Sequence, residues 1–155
     1  MALLTFSLAG CSSSQKSSGD GSDSGSISDA DIAGDGADSD SGRAMGLQTV
    51  NFDYDSSALS AEAKTILNNN ANILKANGSV RIQIEGHTDE RGGIQYNIAL
   101  GERRAKAARS YLIAQGVSAG RISIISYGKE KPLDYGHSEE AWYKNRRANF
   151  RITEK

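Results

Sequence analysis

Between Val80 and Gln115 the period of the apolar residues changes from two to three or four across one pair of glycines. Val80, Ile82 and Ile84 alternate with Arg81, Gln83 and Glu85 before Gly92-Gly93 breaks the run. Beyond the glycines, Ile98, Gly101, Ala105, Ala108 and Leu112 recur at helical spacing until Gly116. The first pattern is a strand with one buried and one wet face, and the second is an amphipathic helix. The helix stripe is made largely of small residues, so the helix must lie close against the sheet. That strand–turn–helix unit limits the chain to folds in which helices cover a sheet.

The flanking residues extend the pattern. A short strand is expected from Gln48 to Phe52, and the sequence Asp53-Tyr54-Asp55-Ser56-Ser57 turns the chain. A first helix follows from about Ser60 to Asn77, with Leu59, Ala63, Ile66, Leu67, Ile73 and Leu74 on its buried face. Ser60 is its N-cap and Gly78 its stop. The second helix spans about Ile94 to Gln115. A third strand covers Arg121 to Tyr127. A loop with Pro132, Gly136 and His137 then leads to a short helix near Ser138–Lys144. The last strand runs from Arg147 to Thr153, with Ala148, Phe150 and Ile152 inward. The order is β-α-β-α-β-(α)-β, an α+β class with helices packed on one face of the sheet.

Charge divides the chain. Residues 12–46 carry Lys16 and Arg43 against seven Asp, whereas residues 47–155 carry 16 Lys and Arg against 12 Asp and Glu. The first stretch is Ser, Gly, Asp and Ala, with almost nothing to bury, and is expected to be a disordered tether. A tether of that composition has a root-mean-square span of about 30–35 Å. No basic stripe interleaved with aromatics points to nucleic acid. Residues 1–10 are apolar and end in small residues before Cys11, as in the remnant of a secretory signal. Leu8-Ala9-Gly10-Cys11 resembles a bacterial lipobox, which implies acylation of Cys11 and attachment to membrane lipid. Ser12 after the cysteine implies passage to the outer membrane. The domains expected are therefore 1–10, 11–46 and 47–155.

Catalysis finds little support. The two histidines, His87 and His137, are fifty residues apart, with no zinc spacing, no GxSxG and no cysteine in the domain. No catalytic residue, metal or cofactor is expected. Binding fits better. Asn97, Leu100 and Arg104 share one helix face at i, i+3 and i+7, and the preceding loop carries Thr88 and Asp89. Asp89 and Arg104 either pair with each other at the surface or hold a ligand bearing both an ammonium and a carboxylate, since Arg matches carboxylate bidentately.

The segments GHTDERG, YNIALGERRA and SYGKEKP, and NRRA near the end, resemble the OmpA-like peptidoglycan-binding domain over nearly all of residues 47–155. Within that family they are most similar to the peptidoglycan-associated lipoproteins of the Tol-Pal system. The resemblance implies an OmpA-like fold with a mixed four-stranded sheet. It implies that the ligand is the diaminopimelate of a peptidoglycan stem peptide, held by Asp89 and Arg104. Thr88, Leu100, Tyr54 and Asp55 are carried over as further contacts, with Tyr54 standing where Phe is common. His87 is expected to brace the loop. Arg146 and Arg147 are expected either in internal ion pairs or on a partner surface. TolB and other Tol proteins are implied as partners. Two other readings remain open: the targeting module of a peptidoglycan-processing enzyme, and an adaptor that binds only protein.

Overall fold

The structure, a computed structural model, describes residues 37–155. The expected signal remnant, Cys11 and the tether up to residue 36 lie outside the described residues. The elements are β1 (Val50–Asn51), α1 (Ala61–Ala76), β2 (Arg81–His87), α2 (Ile94–Ala114), β3 (Ile122–Gly128), α3 (Glu139–Asn145) and β4 (Arg147–Glu154), with a 3-10 turn at Ala119–Arg121 before β3. Four strands form one sheet in the order β1-β4-β2-β3. β2 and β3 run parallel, joined by α2 as the crossover, and β4 is antiparallel to both β1 and β2. The sheet is thus mixed, and the α+β class expected from the periodicities is the observed one.

Each helix follows from its own residues. Ser60 caps α1 by accepting from the Ala63 amide at 3.1 Å. Ala63, Leu67, Ala71 and Leu74 are buried on its inner face, with Leu59, Ile66 and Ile73 packed at the margin. One buried residue of α1 is polar. Asn70 accepts from the Gln48 amide at 2.9 Å and donates to the Gln48 carbonyl at 2.8 Å. It completes a backbone pair that the two-residue β1 is too short to supply. The core between helices and sheet includes Phe52, Ile82, Ile84, Ala105, Leu112 and Phe150.

The close approach of α2 depends on two glycines. A Cβ at Gly86 would strike the Gly101 carbonyl, and one at Gly101 would strike Ser126 Oγ. Ser126 Oγ donates to the Ile98 carbonyl at 2.7 Å, which seats the first turns of α2 on β3.

The helix-free face of the sheet differs from the expected wet face. Arg81 is exposed and Gln83 half-buried, but Glu85, His87, Arg147 and Asn149 are all buried. Their cover includes residues 37–41, which the sequence places in the tether. The Ser39 amide donates to the Phe150 carbonyl at 3.0 Å and the Ile152 amide to the Ala37 carbonyl at 3.1 Å. Ser39 Oγ donates to Asn149 Oδ1 at 2.8 Å, and Arg147 Nε donates to Asp40 Oδ2 at 2.7 Å. Ala37 and Ala44 are buried. β1 leaves the far half of β4 without a neighbour, and residues 37–39 pair with those free backbone groups. The packed part of the chain therefore begins at least ten residues before position 47, within the stretch expected to be disordered.

Candidate binding site

β2 ends beside the N-terminus of α2, and the chain between them bends over the helix end. Thr88, Asp89, Arg91 and Gly92 of this loop meet Asn97, Leu100 and Arg104 of α2 and Tyr54 and Asp55 of the β1–α1 loop. With Tyr96 they line a cavity of about 190 Å³. All six residues proposed from the sequence as binding contacts line it: Asp89, Arg104, Thr88, Leu100, Tyr54 and Asp55. They come from three segments that the fold brings to one end of the sheet.

Arg104 is fully buried at the bottom. Its Nε donates to the Ser56 carbonyl at 2.8 Å, Nη1 to the His87 carbonyl at 2.8 Å and Nη2 to the Asp53 carbonyl at 3.0 Å. Three of its five N–H groups therefore join the two loops that wall the cavity. One N–H on each terminal nitrogen is not used by these bonds. Burial lowers the guanidinium pKa to about 10, with the nearby Asp89 charge opposing the shift, so it stays charged at neutral pH.

Asp89 and Arg104 do not pair with each other. Asp89 Oδ2 accepts from Arg91 Nη2 at 2.6 Å and lies 3.5 Å from Arg146 Nη1. Asp89 Oδ1 accepts from the Arg91 amide at 3.1 Å. Burial pushes the Asp89 carboxyl up, but the Arg91 contacts outweigh it and hold the group below its usual range. Asp89 is thus a carboxylate at neutral pH. The surface pairing left open by the sequence is excluded in favour of two separate charges that both reach one cavity.

The remaining side chains take clear places. The Asn97 side chain donates to the Arg91 carbonyl at 2.9 Å and pins the loop. Tyr96 donates its hydroxyl to Asp55 Oδ1, so the Asp55 carboxylate is held at the cavity mouth. Asp55 adopts φ +53°, a left-handed turn conformation that aspartate tolerates. Tyr54 is 60% exposed, which leaves its ring at the rim. The His87 imidazole is absent from the lining, and only its carbonyl serves the site through Arg104. Both ring nitrogens are buried without a hydrogen-bond partner among the described residues, so the expected bracing by the side chain is not seen as a hydrogen bond. Arg103 is exposed and lies over the Tyr96 ring at 6.0 Å. Arg146 and Arg147 are in internal ion pairs, Arg146 with Asp89 and Glu139 and Arg147 with Asp40.

Arg91 was not singled out by the sequence. Its guanidinium lies over the rings of both Tyr54 and Trp142, 4.0 and 4.1 Å from their centroids. Neither ring is near Arg91 in sequence by helical or strand spacing, so no local pattern signals the contact. Among the described residues no cluster of His, Cys, Asp and Glu has the geometry to hold a metal. No described helix is long and apolar enough to cross a membrane.

A mixed sheet with both long helices on one side, and a charged cavity beside the end of its central strand, defines an α+β binding domain. The OmpA family profile matches residues 51–146. The chain is 49% identical over 113 residues to the peptidoglycan-associated lipoprotein of Pseudomonas aeruginosa, covering 73% of this chain and 67% of that one. It is 43% identical over 141 residues to the protein of that name from Pasteurella multocida, covering 91% and 87%. The crystal structure of the peptidoglycan-associated lipoprotein from Burkholderia pseudomallei superposes with a TM-score of 0.65 at 41% identity, covering 67% of this chain and 88% of that one. The C-terminal domain of Helicobacter pylori MotB gives a TM-score of 0.65 at 26% identity, covering 69% and 84%. The chain belongs to the OmpA family and, within it, to the peptidoglycan-associated lipoproteins.

Proposed function

We propose that the chain is an outer-membrane lipoprotein whose periplasmic domain binds peptidoglycan noncovalently, and that the cavity takes the diaminopimelate of a stem peptide. The observation that carries this reading is that Asp89 and Arg104 both line one small cavity without pairing with each other. A zwitterion carries an ammonium for the first and a carboxylate for the second. The names of its relatives support peptidoglycan as the source of that zwitterion. Acyl chains on Cys11 anchor the other end of the tether, and more than one chain makes such anchoring stable. Many weak wall contacts then hold the two layers together by multivalency. TolB and other Tol proteins are the proposed protein partners. The protein acts by holding, not by catalysis.

Cosedimentation with purified diaminopimelate-type sacculi tests the reading. The wild-type chain is expected to pellet with sacculi and Asp89→Asn to remain in the supernatant, a loss of about 2–5 kcal/mol for one partner of a desolvated contact. Undiminished pelleting of Asp89→Asn removes the cavity from the mechanism. Release of soluble muropeptides during incubation shows a processing enzyme instead. Cys11→Ser is expected to move the protein from membrane to soluble fractions.

A further inference from the structure

Asp89 already holds a cation. Arg91, two residues along the chain, places Nη2 2.6 Å from Asp89 Oδ2 and 4.0 Å from Glu139 Oε2. Its guanidinium carbon lies over the rings of both Tyr54 and Trp142, 4.0 and 4.1 Å from their centroids. Cation–π contacts of this kind favour a desolvated cation. An acidic floor beside two aromatic walls is what an ammonium ligand also requires.

The hold on Arg91 is incomplete, however. Its Nε is buried and makes no hydrogen bond to any described residue, which carries a desolvation cost. Its side chain remains about one-third exposed, at 31%. Arg104, by contrast, is fully buried with three carbonyl partners. One arginine is built into the frame and the other is only lodged in it.

We propose that Arg91 is a displaceable self-ligand of the cavity, occupying the place on Asp89 that the ammonium of diaminopimelate takes when peptidoglycan binds. The inference rests on the zwitterion reading of the cavity given above. A competitor on the same loop is present at high effective concentration. The apparent affinity then falls by the fraction of molecules in which the place is open. Arg91 thus sets how weak each wall contact is. Together with Arg146, it also keeps the Asp89 carboxylate neutralised when no wall is within reach. Tyr54 and Trp142 are the slot walls, and Trp142, the single tryptophan of the chain, reports on the slot.

The test is calorimetric titration of the full chain with a soluble diaminopimelate-containing stem tripeptide, alongside Trp142 fluorescence. If Arg91 fills the place in about nine molecules of ten, Arg91→Gln binds about tenfold tighter than wild type. Trp142 emission is expected to change on saturation of the wild type, as Arg91 leaves its ring, and not on saturation of Arg91→Gln. Equal or weaker binding by a folded Arg91→Gln overturns the proposal. If that variant fails to fold, the wild type decides alone, because unchanged Trp142 emission at saturation means that Arg91 has not moved. Asp89→Asn separates the two readings. If it binds like wild type, the cavity reading fails and the self-ligand with it. If it loses binding while Arg91→Gln gains none, only the self-ligand fails.

Discussion

The Arg104 guanidinium donates to the His87 carbonyl at 2.8 Å, so α2 holds the end of the strand from which Asp89 departs. The same side chain reaches Asp53 and Ser56 across the cavity. Its position on the helix fixes the distance between the loops, and so the width of the site.

Arg104→Ala is therefore expected to damage the fold as well as any binding. Three buried or part-buried carbonyls lose their donor, and the unfolding free energy should fall by about 3 kcal/mol or more. Urea denaturation followed by far-UV circular dichroism checks this. Asp89→Asn leaves those three bonds in place but removes a buried charge paired with Arg91 and Arg146, so it should lower the midpoint by less than Arg104→Ala does. It is the cleaner variant for any binding assay.

Gly86→Ala is expected to lower stability by about 3 kcal/mol or to prevent folding. Its new methyl would meet the Gly101 carbonyl, which is backbone and has no rotamer to change. Gly78→Ala, where a Cβ meets nothing within 4 Å, serves as the control and should melt within a few degrees of wild type.

A chain starting at residue 47 should be less stable than one starting at residue 37. The shorter chain loses Asp40, the partner of buried Arg147, and Ser39, which pairs with β4. Breaking a buried ion pair from one side costs about 3 kcal/mol or more. Comparing the two melting curves checks it. Asp40→Ala in the longer chain should reproduce much of the loss.

His137 and Glu90 form a pH-dependent clasp between the α3 side and the loop that carries Asp89. His137 Nδ1 lies 2.7 Å from Glu90 Oε1, which also accepts from Trp142 Nε1 at 2.9 Å. The Glu90 hydrogen bond raises the His137 pKa above its usual 6.5, and the His137 hydrogen bond lowers the Glu90 pKa below its usual 4.5. A raised histidine contributes its stabilisation fully below 6.5 and loses it as pH rises through the higher folded value. A lowered glutamate contributes above 4.5 and loses it as pH falls through the lower folded value. The clasp is thus closed in mildly acidic solution and opens on either side. An NMR titration of the His137 ring should give a midpoint above 6.5, and Glu90→Gln should return it towards 6.5.

What could be read without coordinates was what repeats locally. Val80, Ile82 and Ile84 announced β2, and the spacing of Ala105, Ala108 and Leu112 announced α2, because strand and helix periods put successive apolar residues on one side. Ser60 marked the start of α1 through its own cap, whereas the expected stop at Gly78 is made instead by Asn77, whose amide and side chain both donate to the Ile73 carbonyl, and Gly78 does not adopt a left-handed conformation. Asp89 and Arg104 stood out because opposite charges flank a turn on one strand–helix unit, and family resemblance added Tyr54 and Asp55 from another loop.

Only the tertiary structure decided what each charge faces. Arg104 meets three carbonyls up to fifty-one residues away, Asp40 meets Arg147 across 107 residues, and Arg91 meets Trp142 through the packing of α3. The stretch 37–46 has the composition of a tether, yet it packs because β4 presents unpaired backbone to it. Composition and period carry the inside–outside preference of a residue. They do not carry its partner, which depends on how distant elements close around it, and that closure turned two charges fifteen residues apart into the two ends of one cavity.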